Sequence, residues 1–207
     1  TKCKTLVDTG ADTFCAGAGY TVLARTGRHV TLKGFADSLE PITKVPIVTV
    51  ATAYDFPNGT TVLLVFHKAL YLGDKQTTSL INLNQIRHAG HECDDTPRFL
   101  SKGKTLHGIK THDGQYLPFN LKGKSSYLQT RTPTRHERES CEHIELTLDS
   151  PWDPQADDWE QHEEKYTRGQ HHARTTITSD HEIPIDQPVM EDNIQYMNHV
   201  CTVRPQT

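Results

Sequence analysis

The chain has 207 residues, a mass of 23.4 kDa, a formal net charge of -4 and a mean hydropathy of -0.63. That suits one ordinary domain with an appendage better than a chain packed throughout its length. No apolar run approaches the ~18–20 residues of a membrane-spanning helix, so no membrane partner is expected. The negative charge argues against nonspecific nucleic-acid binding by the whole chain. Five cysteines (Cys3, Cys15, Cys93, Cys141, Cys201) stand at irregular spacing with no Cys-x-x-Cys. They read as reduced thiols in an intracellular, cytoplasmic setting and not as a disulfide framework. Opening on Thr1-Lys2-Cys3 without an initiator Met, the sequence reads as an internal piece of a longer polypeptide.

In chain order, residues 4–7 read as a first strand running into Asp8-Thr9-Gly10. Strands are expected over 29–35 and 44–54, then over 60–72, with Pro57-Asn58-Gly59 between the last two. Asn-Gly is a strong hairpin turn because both residues tolerate positive φ. Residues 79–88 place Leu80, Leu83 and either Ile81 or Ile86 at spacings that suit a short helix, which Ala89-Gly90 ends with Gly as C-cap. Two further strands, 105–110 and 115–121, flank the turn His112-Asp113-Gly114. Residues 1–130 therefore read as an all-β domain with one short helix.

The whole-chain charge hides a division near Thr130-Arg131-Thr132-Pro133-Thr134. Residues 1–130 hold 15 Lys+Arg against 10 Asp+Glu, a balance of +5; residues 131–207 hold 7 against 16, a balance of -9, which together give the -4 of the chain. Apolar residues beyond the break are sparse and lack sustained period, so burial there cannot offset chain entropy. Residues 131–207 are expected to be a largely disordered acidic tail with one short helix over 157–166.

Leu6-Val7-Asp8-Thr9-Gly10-Ala11-Asp12 is the string that carries chemistry. Asp8 at a strand end would put a carboxylate in a loop facing a cleft, and Thr9 could hydrogen-bond to a neighbouring loop and brace it. Gly10 and Ala11 would let a substrate backbone come close, and Asp12 could hydrogen-bond that backbone. On its own the tripeptide fits a tight turn after a strand equally well.

LVDTGADT resembles the active-site loop of a retropepsin-type aspartic protease, and more narrowly that of a copia-type retrotransposon polyprotein. Leu32-Lys33-Gly34-Phe35 resembles the second arm of that family's glycine-bearing flap hairpin. The run 60–72 resembles the strands after the flap, and Ser79 to Ile86 the segment that starts the family's single helix. Residues 91–128 are similar to the way copia-type polyproteins continue. The family's apolar-apolar-Gly signature before the helix is replaced here by Thr78-Ser79-Leu80-Ile81.

The resemblance implies a retropepsin-like closed β-barrel and an aspartic endopeptidase that cuts its own polyprotein. It implies Asp8, Thr9 and Gly10 as catalytic-loop residues and Ala11, Asp12 and Gly34 as substrate contacts. Two aspartates would share one proton and activate a water between them, with no cofactor and no metal. Asp37-Ser38-Leu39 and Asp149-Ser150-Pro151 lack the glycine, so the chain has one Asp-[Ser/Thr]-Gly and supplies half a site. A homodimer with Asp8 from each subunit at the two-fold axis follows from that count. The implied setting is the cytoplasm, within retrotransposon particles.

Other chemistry finds less footing. His136, Cys141, His143, His162, His171 and His172 do not form the closed set a structural zinc needs. Cys15 reads as a small buried thiol, since nothing places a histidine beside it. Lys102-Gly103-Lys104 and Lys122-Gly123-Lys124 read as solvated hairpin tips, with too few aromatics nearby for base stacking, and no direct nucleic-acid binding is expected. The alternative reading is a catalytically inactive retropepsin-like remnant used for dimerisation, peptide binding or spacing.

Overall fold

The first strand, β1 (Lys2–Val7), alternates its faces as a half-buried strand should. Thr5 is buried and its hydroxyl shares a 2.8 Å hydrogen bond with the Tyr20 phenol, while Lys4 is exposed. Burial pushes that phenol's pKa well up, so Tyr20 stays neutral in its partnership with Thr5. The computed structural model describes residues 2–34, 38–156, 158–165 and 202–205. These fall into two units, one of Thr1–Trp152 with Asn198–Thr207 and the other of Asp153–Met197.

The first unit is mostly β. β1 pairs antiparallel with β11 (Ser125–Arg131) and parallel with β6 (Ser79–Ile81), with Thr5 opposite Ser79 and Val7 opposite Ile81. The sheet continues through β2 (Cys15–Gly17), β5 (Thr61–Gly73), β4 (Ile42–Asp55) and β3 (Thr21–Lys33) to β13 (Thr202–Pro205). At the other end β10 (Asn120–Lys122) lies outside β11. Arg131 of β11 also pairs with Ala53 of β4. A separate sheet holds β7 (Glu92–Asp94), β8 (Gly108–Lys110) and β9 (Tyr116–Pro118). The core centres on Phe14 stacked on Phe66 at 4.2 Å, with Tyr20 edge-on to both and Val50, Leu64 and Ile81 around them.

The Asn-Gly hairpin stands where the sequence places it. Asn58 accepts the Thr60 amide at 2.9 Å, and Gly59 adopts φ +88°. Other elements depart from expectation for physical reasons. β3 begins at Thr21, well before residue 29, and its stretch through Gly27 (φ +78°) breaks register with β4 between Arg25 and His29. That polar, irregular stretch has no alternation to read. The expected helix over 79–88 is a strand in its first part: β6 precedes Asn82, and α1 runs only over Leu83–His88. The 115–121 run divides between two sheets: β9 pairs with β8, a ladder that the Phe119 amide extends to the His107 carbonyl at 3.0 Å, and β10 pairs with β11. Only the end of the 105–110 run is a strand.

The first unit also takes in the chain from the expected boundary at 130 through Trp152, and Asn198–Thr207 besides. Thr134 and Glu137 close a capping box on α2 (Arg135–Ser140). The Arg131 guanidinium reaches both Asp55 and Glu137, and it holds the Glu137 carboxyl down to about 2. β12 (His143–Glu145) then lies parallel on β5, burying Ile144 and Leu146. These apolar residues are too few to register as a periodic signal, yet they dock on a strand already in place. In the second unit residues 158–165 are helical. Residues 202–205 of the expected disordered tail form β13 on β3, while 166–201, His171 and His172 among them, lie outside the described residues.

Two outcomes follow for stability. Leu146→Ala should lower the unfolding free energy by about 2–5 kcal/mol in urea melts, as for other fully buried leucines. A tail lying free of the domain would give no change. The second concerns His91, which is fixed as a neutral tautomer: its Nε2–H donates to the Glu145 carbonyl at 2.9 Å and its Nδ1 accepts the His112 amide at 3.2 Å. Burial, and after it the neighbouring His112, lowers its pKa below the ordinary 6.5. The unfolded chain therefore binds a proton more readily than the folded one. This contribution is intact above about pH 6.5 and is lost as pH falls from there towards the lowered folded value. His91→Gln should flatten the slope of the urea midpoint between about pH 7 and 5. His107, also lowered by burial, should contribute in the same direction to the slope that remains.

Candidate active site

β1 ends at Val7, and the next amide, Asp8 N–H, continues the parallel ladder to the Ile81 carbonyl at 3.0 Å. The chain then turns on itself. Asp8 Oδ1 accepts the Gly10 amide at 2.9 Å, and the Asp8 carbonyl accepts the Ala11 amide at 3.3 Å. Asp8 is half-buried, while Thr9 and Gly10 are exposed. Ala11 is buried and Asp12 half-buried as the chain descends towards Phe14.

What holds this loop comes from three separate places. The Asn82 side-chain amide donates to the Ala11 carbonyl, and its Oδ1 accepts the Gln85 amide at 2.8 Å as the N-cap of α1. Gln85 Oε1 accepts the Phe14 amide at 3.0 Å, while its Nε2 donates to the His67 carbonyl of β5 at 3.3 Å. The Trp152 indole N–H donates to the Asp12 carbonyl at 3.1 Å and to Thr13 Oγ1 at 3.3 Å. Asn82 and Gln85 are only 4% and 2% exposed, so each amide left unmatched would cost about 1–3 kcal/mol. The loop is thus fixed at its start, middle and end.

The structure brings Asp8, Thr9, Gly10, Ala11 and Asp12 together as one turn. Gly34 stands apart, past the end of β3 in its connection to β4, where an added Cβ would lie 2.9 Å from Leu39 Cδ1. Sheet order separates β3 from β1, so ladder pairing does not join Gly34 to the loop. Beside β6, Ser79 Oγ accepts the Gly17 amide at 2.9 Å, and a Cβ on Gly17 would fall 2.2 Å from the Gln76 carbonyl oxygen, so the close approach of β2 there requires a glycine.

Sequence reasoning missed Asn82, Gln85 and Trp152. For the first two a signal existed: Asn82 followed three residues later by Gln85 has the pattern of a helix start, here inside a segment read as continuous helix. Trp152 had no local signal, because its partner lies 140 residues away. Among the described residues no three His, Cys, Asp or Glu side chains are gathered to hold a metal ion, and no helix is long and apolar enough to cross a membrane. No family model, curated protein or solved structure matches the chain.

Chemically, the arrangement offers one carboxylate per chain on a braced turn with its outer side uncovered. Asn82→Ala should cost about 1–3 kcal/mol in urea unfolding, combining a lost N-cap with an unpaired buried carbonyl. Asn82→Asp keeps the capping oxygen without the amide donor, so it should recover only part of that loss.

Proposed function

We propose that the chain is an aspartic endopeptidase working as a homodimer, with Asp8 of each copy facing the other across a two-fold axis. The observation that carries this reading is the contrast within the 8–14 loop. Its backbone is tied to β6, α1 and Trp152, while Thr9 and Gly10 face outward. A simple turn between strands needs no such brace. A half-site does, because two carboxylates must hold a water in fixed geometry while leaving room for a peptide.

With both Asp8 carboxylates close, they cannot ionise together and share a proton. One takes a proton from the water as it attacks the scissile carbonyl; the other, protonated, donates to the carbonyl oxygen. Neither forms a covalent bond with the peptide. Thr9 would brace the pair across the axis, and Gly10, Ala11 and Asp12 would meet the substrate backbone. Gly34, in the β3–β4 connection, would approach the peptide as part of a flap. β11, paired with both β1 and β4, supports a retropepsin-like closed barrel. The substrate class is an extended polypeptide, with the chain's own polyprotein in the cytoplasm as the natural one.

The test is peptide cleavage between about pH 4 and 7 by the wild type and by Asp8→Asn, with a hydroxyl-bearing transition-state mimic as inhibitor. The expected result is cleavage that disappears in Asp8→Asn, yields to the inhibitor and falls faster than linearly on dilution. Equal behaviour of wild type and mutant would reject the enzyme and leave a fold used for dimerisation or spacing.

A further inference from the structure

The segment after β12 is stitched to β5 along its whole course and ends on the Asp8 loop. The Leu146 amide donates to the Val65 carbonyl at 2.9 Å. The Thr147 hydroxyl accepts the His67 amide at 2.7 Å and donates to the His67 carbonyl at 3.0 Å. Asp149 pairs with Lys68 at 2.9 Å, and Lys68 lowers its pKa, so the pair persists through the mildly acidic range. Trp152 then gives its indole N–H to Asp12 and Thr13, with its ring tilted against His88 of α1 at 5.6 Å.

β5 is built to receive this segment. Val48 pairs with Ala69 and Val50 with Phe66, so His67 and Lys68 together oppose Thr49 alone in a bulge, with Lys68 at φ +55°. The bulge turns the His67 amide and carbonyl away from the β4 ladder. Thr147 takes up both, and Gln85 shares the carbonyl. Two routes therefore run from one bulge to one loop: through Gln85 to Phe14, and through residues 147–152 to Asp12 and Thr13.

We propose that Trp152 is a positioning residue for Asp8 and that residues 146–152 are a working part of the catalytic unit. Trp152 acts on the Asp12 carbonyl and the Thr13 hydroxyl, four and five residues beyond the carboxylate, adding to the ties that Asn82 and Gln85 make at Ala11 and Phe14. The catalytic arm of this inference rests on the function proposed above; the structural arm does not.

The experiment uses the full chain with Trp152→Phe, which keeps an aromatic ring and removes the N–H. Trp159→Phe is the control for losing the chain's other indole. Residue-resolved amide hydrogen exchange at Asp8, Ala11 and Phe14 should speed up about fivefold in Trp152→Phe, the loss of one neutral hydrogen bond. Exchange at Val50 and Leu64 in the core should stay unchanged, as should all of these in Trp159→Phe. Thr147→Val, which frees the segment upstream, should accelerate the same loop amides. In peptide cleavage, Trp152→Phe should lower kcat by a larger factor than it raises KM, because Asp12 is the one proposed substrate contact that it loosens while carboxylate geometry loosens as well. Loop exchange identical to wild type, or acceleration spread evenly over loop and core, would overturn the proposal. If no protein cleaves peptide but the loop still responds selectively, the endopeptidase reading fails and the positioning role stands.

Discussion

The structure turns on a parallel pairing between two short strands, β1 and β6, that are far apart in the chain. Their ladder runs from Thr5 opposite Ser79 to Val7 opposite Ile81 and is extended by the Asp8 amide on the Ile81 carbonyl. A parallel pair cannot be joined by a tight turn and needs a long crossover. Here the crossover is β2 to β5, which forms most of the main sheet. The reward comes at the residue after the ladder. Asn82 begins α1 and at the same moment reaches the Ala11 carbonyl, so helix start and loop brace are one side chain. The loop that carries Asp8 is then tied to the sheet behind it, through contacts of long sequence separation.

β5 is the second fixed point. It pairs with β4, β2 and β12, and its bulge at His67 and Lys68 opens backbone groups that α1 and the segment after β12 both use. A regular strand would satisfy those groups within the ladder and offer nothing outward. The local irregularity thus links the sheet to both braces of the Asp8 loop. The Arg131 fork works at the opposite edge, holding α2 against β4 through Asp55 and Glu137 and so setting the path by which the chain returns to β5.

Legibility in the sequence followed the range of the interaction. The Asn58-Gly59 hairpin was readable because its turn chemistry is local. The Asp8 turn was readable as a unit for the same reason, since Asp8 itself accepts the Gly10 amide. β6 was misread as helix: Leu80 and Ile81 suit either period in so short a run, and only pairing with β1 decides. The segment 131–152 was read as tail because Ile144 and Leu146 are isolated apolar residues among charges. Their burial depends on β5 being there to receive them, which no window of local sequence contains. The mostly β character was open to reading; the braces of the candidate site, made across 71 and 140 residues, were not.

The asymmetry of the loop's environment bears directly on how a half-site would be controlled. The braces described on the 8–14 loop all come from within the chain while Thr9 and Gly10 stay exposed, so the Asp8 geometry exists before any partner arrives. What a single chain lacks is the second carboxylate. Under the proposed function, association would then complete the chemistry without remodelling the loop, and the transition from silent to active would follow concentration alone. A brace at Trp152 adds a second condition of a different kind. It lies beyond β12, in the segment that packs on β5, so the loop has all of these ties only when the chain through residue 152 has folded onto the sheet. Partner concentration and completion of the C-terminal segment would thus act on separate parts of the same site, the first supplying a missing group and the second fixing one already present.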